Sequence, residues 1–159
     1  MKTTRLLFTL LPVLALVLPA QAQVSPVTMR IEQVTKTDND KYTHKQSKSL
    51  KIFLNNGSSA DKTGLLVRYY FFGKGVTDRE IVVVDKGEKT ADIKARKTEI
   101  IETPTVSKTW VEEHFQKKKK VEASGEKLVG YGAQVFEEER LLAQYYSEPS
   151  YSKLVSRDR

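Results

Sequence analysis

The only imidazoles available for acid–base work are His44 and His114, and the chain has no cysteine. A nucleophilic triad needs a serine on a sharp turn, a histidine within hydrogen-bond reach, and a carboxylate orienting the ring. No Gly-x-Ser-x-Gly occurs, and no serine is framed in a comparable way. His44 lies in a polar stretch beside Tyr42 and Thr43, and His114 lies beside Phe115, so both read as surface or boundary residues. Without cysteine there is no thiolate chemistry, no disulfide exchange and no cysteine-ligated zinc. The carboxylates Glu137-Glu138-Glu139 are neighbours in a hairpin turn, whereas glycoside cleavage needs two carboxyl groups facing each other across a cleft. Asp38-Asn39-Asp40 offers oxygen ligands but lacks the alternating positions and the final bidentate Glu of a calcium loop. Turn chemistry accounts for it. Gly73-x-Gly75 and Gly130-x-Gly132 are too short for phosphate loops and read as backbone adjustments near strand ends or bulges. Asn56-Gly57-Ser58 is formally a glycosylation sequon and equally a turn. No catalytic, cofactor or metal site is assigned.

Two groups of residues remain as binding candidates. Lys117, Lys118, Lys119 and Lys120 form a basic run, expected as an extended, solvated loop because like charges repel. It is suited to sulphated or sialylated glycans, lipopolysaccharide phosphates, or non-specific contact with nucleic acid. Sequence-specific nucleic-acid reading is not expected, since most aromatics sit in strands where core packing explains them. Trp110, Tyr145, Tyr146 and Tyr151 are the candidates for stacking on sugar faces.

These residues are carried by short strands. The organising stretch is Leu65–Phe72, Leu-Leu-Val-Arg-Tyr-Tyr-Phe-Phe, bounded by Gly64 and Gly73. Its apolar residues fall on both faces, which predicts a central strand with a second layer over at least one face. Before it come a strand over Pro26–Thr35, a turn at Thr37–Asp40, a polar stretch Lys41–Lys48, and a strand in which Leu50, Ile52 and Leu54 alternate with Lys51, Phe53 and Asn55. After it come a short strand within Arg79–Asp85 closed by Asp85-Lys86-Gly87, a weaker one at Thr90–Lys97, and one at Thr98–Ser107 bent by Pro104. Around Trp110–Phe115 the pattern fits a short helix with a Thr109/Glu112 capping box as well as it fits a strand. Ser124-Gly125 reads as a turn. Leu128–Phe136 and Leu141–Tyr146 form a hairpin about the polar turn Glu137–Arg140, and Ser147–Arg159 reads as a tail with a short strand near Lys153–Val155. About seven or eight short strands with polar turns predict an all-β, antiparallel β-sandwich, immunoglobulin-like, with a closed barrel as the alternative.

The N-terminus begins Met1-Lys2-Thr3-Thr4-Arg5, continues with an apolar run over Leu6–Ala20, and ends in an Ala20-x-Ala22 box. This is the pattern of a signal peptide over residues 1–22, leaving residues 23–159 as one domain with no transmembrane span. The run lacks the cysteine of a lipoprotein and the glycine of a prepilin. The net charge of +7 includes Lys2 and Arg5, so cleavage lowers it by two. An exported domain without disulfides must be held by burial alone, for which this length suffices.

The segment Val129-Gly-Tyr-Gly-Ala-Gln-Val-Phe136, followed by Arg140-Leu-Leu-Ala-Gln-Tyr-Tyr146, resembles small exported proteins of gut mucin-dwelling bacteria. With the signal peptide and strand-rich body, the chain is similar to immunoglobulin-like outer-membrane proteins associated with a type IV pilus-like gene cluster. The resemblance implies a protein of the periplasm, outer membrane or cell surface, non-enzymatic, acting in surface assembly or adhesion through envelope or pilus-like protein partners. It carries over no catalytic residues. A glycan- or anionic-polymer-binding module is the alternative, and a hydrolase the minor one.

Overall fold

The computed structural model describes residues 25–78 and 80–157; the signal peptide expected at 1–22 lies outside them, as does Arg79. The chain is all-β and antiparallel, as its patterning predicts. Its strands are β1 (Val27–Asn39), β2 (Thr43–Asn56), β3 (Lys62–Gly75), β4 (Ile81–Ile93), β5 (Thr98–Glu102), β6 (Val106–Val111), β7 (His114–Gln116), β8 (Lys119–Val121), β9 (Ser124–Glu137) and β10 (Arg140–Tyr146). Eight of them share one hydrogen-bonded sheet, and β7 and β8 pair with each other apart from it.

The sheet has two halves. In one, β2 pairs with β1 on one side and with β5 and then β6 on the other. In the second, the order is β10-β9-β3-β4. Among the described residues their strands pair where Trp110 and Val111 of β6 meet Gly125 and Ser124 of β9, and Gln46 Oε1 accepts from Leu128 N–H beside that point. At that junction Gly125 has φ +97°, and a Cβ there would stand 2.2 Å from the Thr109 carbonyl oxygen, so the crossing needs glycine. Side chains from both halves meet in one core, including Leu50, Ile52 and Leu54 of β2 with Leu65, Val67 and Phe71 of β3. The hydrogen-bonded path ends at β1 and β4 among the described residues, so it is open where a barrel would close.

β3 occupies the central place that its composition demands. Leu65, Val67, Tyr69 and Phe71 enter the main core, while Tyr70 and Phe72 enter a second cluster on the opposite face. That cluster is covered by the C-terminal segment, a 3-10 turn at Pro149–Tyr151 followed by α1 (Ser152–Arg157). The tail with a strand near Lys153–Val155 is therefore corrected. Pro149 suits a helical first turn, and the buried Tyr151 and Val155 anchor the segment, with the Tyr151 ring 4.5 Å from that of Phe72.

The expected break at Asp85-Lys86-Gly87 is also corrected, because β4 runs through it. Gly87 stands directly opposite Tyr69, and a Cβ on it would lie 2.2 Å from the Tyr69 hydroxyl oxygen. The glycine makes room for a ring and does not turn the chain. Of the two register shifts between β3 and β4, one falls between Lys62 and Leu65 and the other between Phe71↔Asp85 and Phe72↔Val83. The bulge sends Ile81 and Val83 to the second cluster while Ala91 and Ile93 stay in the main core, which explains an unalternating run of β-branched residues.

Three further boundaries move. β1 extends to Asn39, so the first turn lies at Asp40–Tyr42, closed by Asp40 N–H donating to the Thr43 carbonyl at 2.8 Å. The polar stretch from Thr43 is strand, because β1 and β6 supply hydrogen bonds on both sides of it. Trp110–Phe115 contains no helix; it is the end of β6 and the start of β7. Pro104 separates β5 from β6, as its missing donor requires.

Candidate interaction surface

Along β2, His44, Gln46 and Lys48 continue in period 2 the row begun by Leu50, Ile52 and Leu54, so the apolar face becomes polar and aromatic at one end of the sheet. His44 pairs with Trp110 across β2 and β6, and their rings stack at 5.1 Å and 20°. The Lys127 ammonium lies 4.8 Å from the Trp110 ring centroid. Next to this pair the motif repeats, as Tyr42 of the β1–β2 turn and His114 at the start of β7 stack at 4.0 Å and 2° with Lys41 over the tyrosine at 5.0 Å. Both histidines of the chain thus lie half-buried in one aromatic strip, the boundary position expected of them, and next to each other's partners.

The hydrogen bonds of this strip are structural in kind. His44 Nδ1 is 2.9 Å from Asn39 Oδ1, and its Nε2 is 3.2 Å from Glu112 Oε1, near enough for an ion pair when protonated but not aligned as a hydrogen bond. His114 Nδ1 is 2.9 Å from the Glu112 carbonyl oxygen. No serine hydroxyl is among these partners, so a nucleophilic triad is not assembled at either ring among the described residues. The buried Trp110 Nε1 has no hydrogen-bond partner.

The lysine run is not the extended loop expected from its charge. Lys117 and Lys118, with φ of 48° and 67°, form the two-residue turn of the β7–β8 hairpin, in which His114↔Val121, Phe115↔Lys120 and Gln116↔Lys119 pair. Lys120 is held between Glu113 at 2.9 Å and Glu122 at 3.1 Å, and the hydrogen bonds it donates to these carboxylates push its pKa above the ordinary lysine value. Lys117, Lys118 and Lys119 are exposed and form no ion pair among the described residues, so repulsion is relieved at one lysine of the four. Phe115 is 71% exposed beside them.

The stacking candidates are dispersed. Trp110 is half-buried in the strip just described. Tyr145 is 41% exposed and stacks on Tyr131 at 6.2 Å, near the opposite hairpin. Tyr146 and the buried Tyr151 pack on Phe72 in the second cluster. They form no common platform.

The remaining chemical candidates are absorbed by structure. Glu137 is held by Lys62 Nζ at 2.6 Å and Arg140 Nη2 at 2.7 Å, which lower its pKa. Asn39 Oδ1 serves His44, and Asp40 Oδ1 accepts from Lys41 N–H, so that turn is committed to local bonds. Among the described residues no three His, Asp or Glu side chains are grouped to hold a metal ion. Asn56 is fully buried, donates to the Ala60 carbonyl at 2.8 Å and accepts from Ser58, which ties down the following loop and leaves the sequon out of reach. No helix among the described residues is long and apolar enough to cross a membrane.

What sequence reasoning missed is the strip. Tyr42-x-His44 and Trp110-x-Glu112-x-His114 carry a period of two, which was the available signal for strand over helix. The exposure of Phe115 and the tight turn had no such signal. Comparison with models of known protein families gives no match, and comparison with curated proteins gives none.

Proposed function

We propose that this protein is an exported, non-enzymatic module of the cell envelope that acts in surface assembly or adhesion by pairing a sheet edge with a protein partner. The observation that carries the reading is β1. Among the described residues it pairs with β2 alone, and every residue from Glu32 to Asn39 is exposed, so the outer backbone groups of this half are open to a further strand. Thr35, Lys36, Thr37 and Asp38 make the edge polar, which opposes indiscriminate aggregation and leaves selectivity to side-chain matching. The orders β1-β2-β5/β6 and β10-β9-β3-β4 support the immunoglobulin-like sandwich expected from the sequence, a frame common in surface modules. The apolar run and Ala20-x-Ala22 box support export.

A photo-crosslinker placed at Val34 or Lys36 in living cells tests this. A discrete adduct from these positions, absent when the probe is at Lys153 on α1, is expected. No adduct from β1, together with a monomer in sedimentation at high concentration, overturns the reading.

A further inference from the structure

We infer that the β7–β8 hairpin is a docking finger for an anionic phospholipid surface. A two-residue hairpin turn with both residues at positive φ strongly favours Asn and Gly, because an L side chain is strained there. Here both positions are lysine. Turn chemistry therefore does not account for the residue types at the tip, and a strained position held by the wrong residue points to function. Beside the turn, Phe115 is 71% exposed, although the second cluster and the main core bury other aromatics of the chain. Among the described residues Lys117, Lys118 and Lys119 are without ion pairs, while Glu113 and Glu122 are occupied by Lys120. The finger is held at its base, where Glu112 N–H donates to the Tyr42 carbonyl at 2.9 Å and His114 stacks on Tyr42.

The combination selects the occupant. A soluble polyanion would satisfy the lysines and leave the Phe115 ring in water. An anionic phospholipid interface takes both, with phosphates at the ammonium groups and the ring at the boundary of headgroup and acyl chain. Because the β1–β2 turn packs on the base of the finger, docking would bring the outer half of β1 close to the membrane surface, independently of whether β1 itself pairs with a partner.

The test is vesicle flotation with phosphatidylcholine alone and with phosphatidylcholine mixed with phosphatidylglycerol, with heparin as a soluble polyanion in a parallel arm. The wild type is expected to bind the mixed vesicles and not the neutral ones, with affinity falling as salt rises. Phe115→Ser should weaken binding by roughly tenfold. Lys117→Gln/Lys118→Gln/Lys119→Gln should weaken it by roughly fivefold for each lysine. Unchanged thermal unfolding verifies that both variants fold, since all four side chains are exposed. Absence of vesicle binding, binding to heparin alone, equal binding to both vesicles, or indifference to Phe115→Ser would each overturn the inference.

Discussion

The opposition of Gly87 and Tyr69 allows a prediction with a definite sign. In Gly87→Ala the new Cβ would lie 2.2 Å from Tyr69 Oη, 2.5 Å from Cζ and 3.0 Å from Cε2, against 3.4 Å for the start of ordinary contact. The ring must retreat by about 1.2 Å at its hydroxyl end, the difference between 3.4 and 2.2 Å. It has little room, being 7% exposed and set edge-on to Phe71 at 6.4 Å. Overpacking of this kind costs about 1–3 kcal/mol. Replacing glycine by alanine restricts the unfolded chain and returns about 0.4–1 kcal/mol. The expected net loss is about 1–2 kcal/mol, or about 3–8 °C in Tm for a domain of this size. Guanidinium unfolding followed by far-UV circular dichroism measures it. In a Tyr69→Leu background the same substitution should become neutral or stabilising, because the obstructing ring is gone and only the chain-entropy gain remains. A destabilisation that persists undiminished there, or a Gly87→Ala protein as stable as the wild type, would refute this account of the glycine.

Other consequences follow from buried or strained positions. Tyr151→Ala should cost about 3–4 kcal/mol and expose the face of β3 carrying Tyr70 and Phe72, detected as loss of near-ultraviolet circular dichroism and gain of dye binding. Lys48 is 7% exposed with its pKa lowered by burial, so the folded state resists its charge. Lys48→Met should raise stability near neutral pH by on the order of 1 kcal/mol. The advantage should shrink as pH rises from the lowered folded value through 10.5, the ordinary lysine value, because the wild type then sheds its proton in both states. Lys117→Asn/Lys118→Gly should relieve the positive-φ strain and slow amide exchange in β7 and β8 by stabilising the finger by about 1–2 kcal/mol, while weakening any contact that depends on its charge.

The fold was legible where side-chain period and burial agree. Leu65–Phe72 declared itself because it is apolar on both faces, and the β9–β10 hairpin because its alternation is interrupted only by charged residues. It was illegible where a local signal had a tertiary cause. Gly87 looks like a turn until Tyr69 is placed opposite it, and Ser147–Arg159 looks like a tail until Tyr151 finds Phe72. Lys117 and Lys118 looked like a repelling loop because nothing local announces a tight turn made without Asn or Gly. The aromatic strip was divided between two segments far apart in sequence, so only the pairing of His44 with Trp110 reveals it. The glycan-stacking candidates illustrate the converse, since tyrosines alike in sequence are separated by which face of β9 or β3 they meet.

The central claim is that the outer half of β1 is completed by another chain. Hydrogen–deuterium exchange over Glu32–Asn39, measured on the free protein and on the protein in contact with native envelope material, tests it most directly. The account predicts fast exchange of the outward amides in the free protein and strong protection of that segment on contact, with α1 unchanged. Exchange over Glu32–Asn39 that stays fast on contact, or protection confined to other strands, would contradict it.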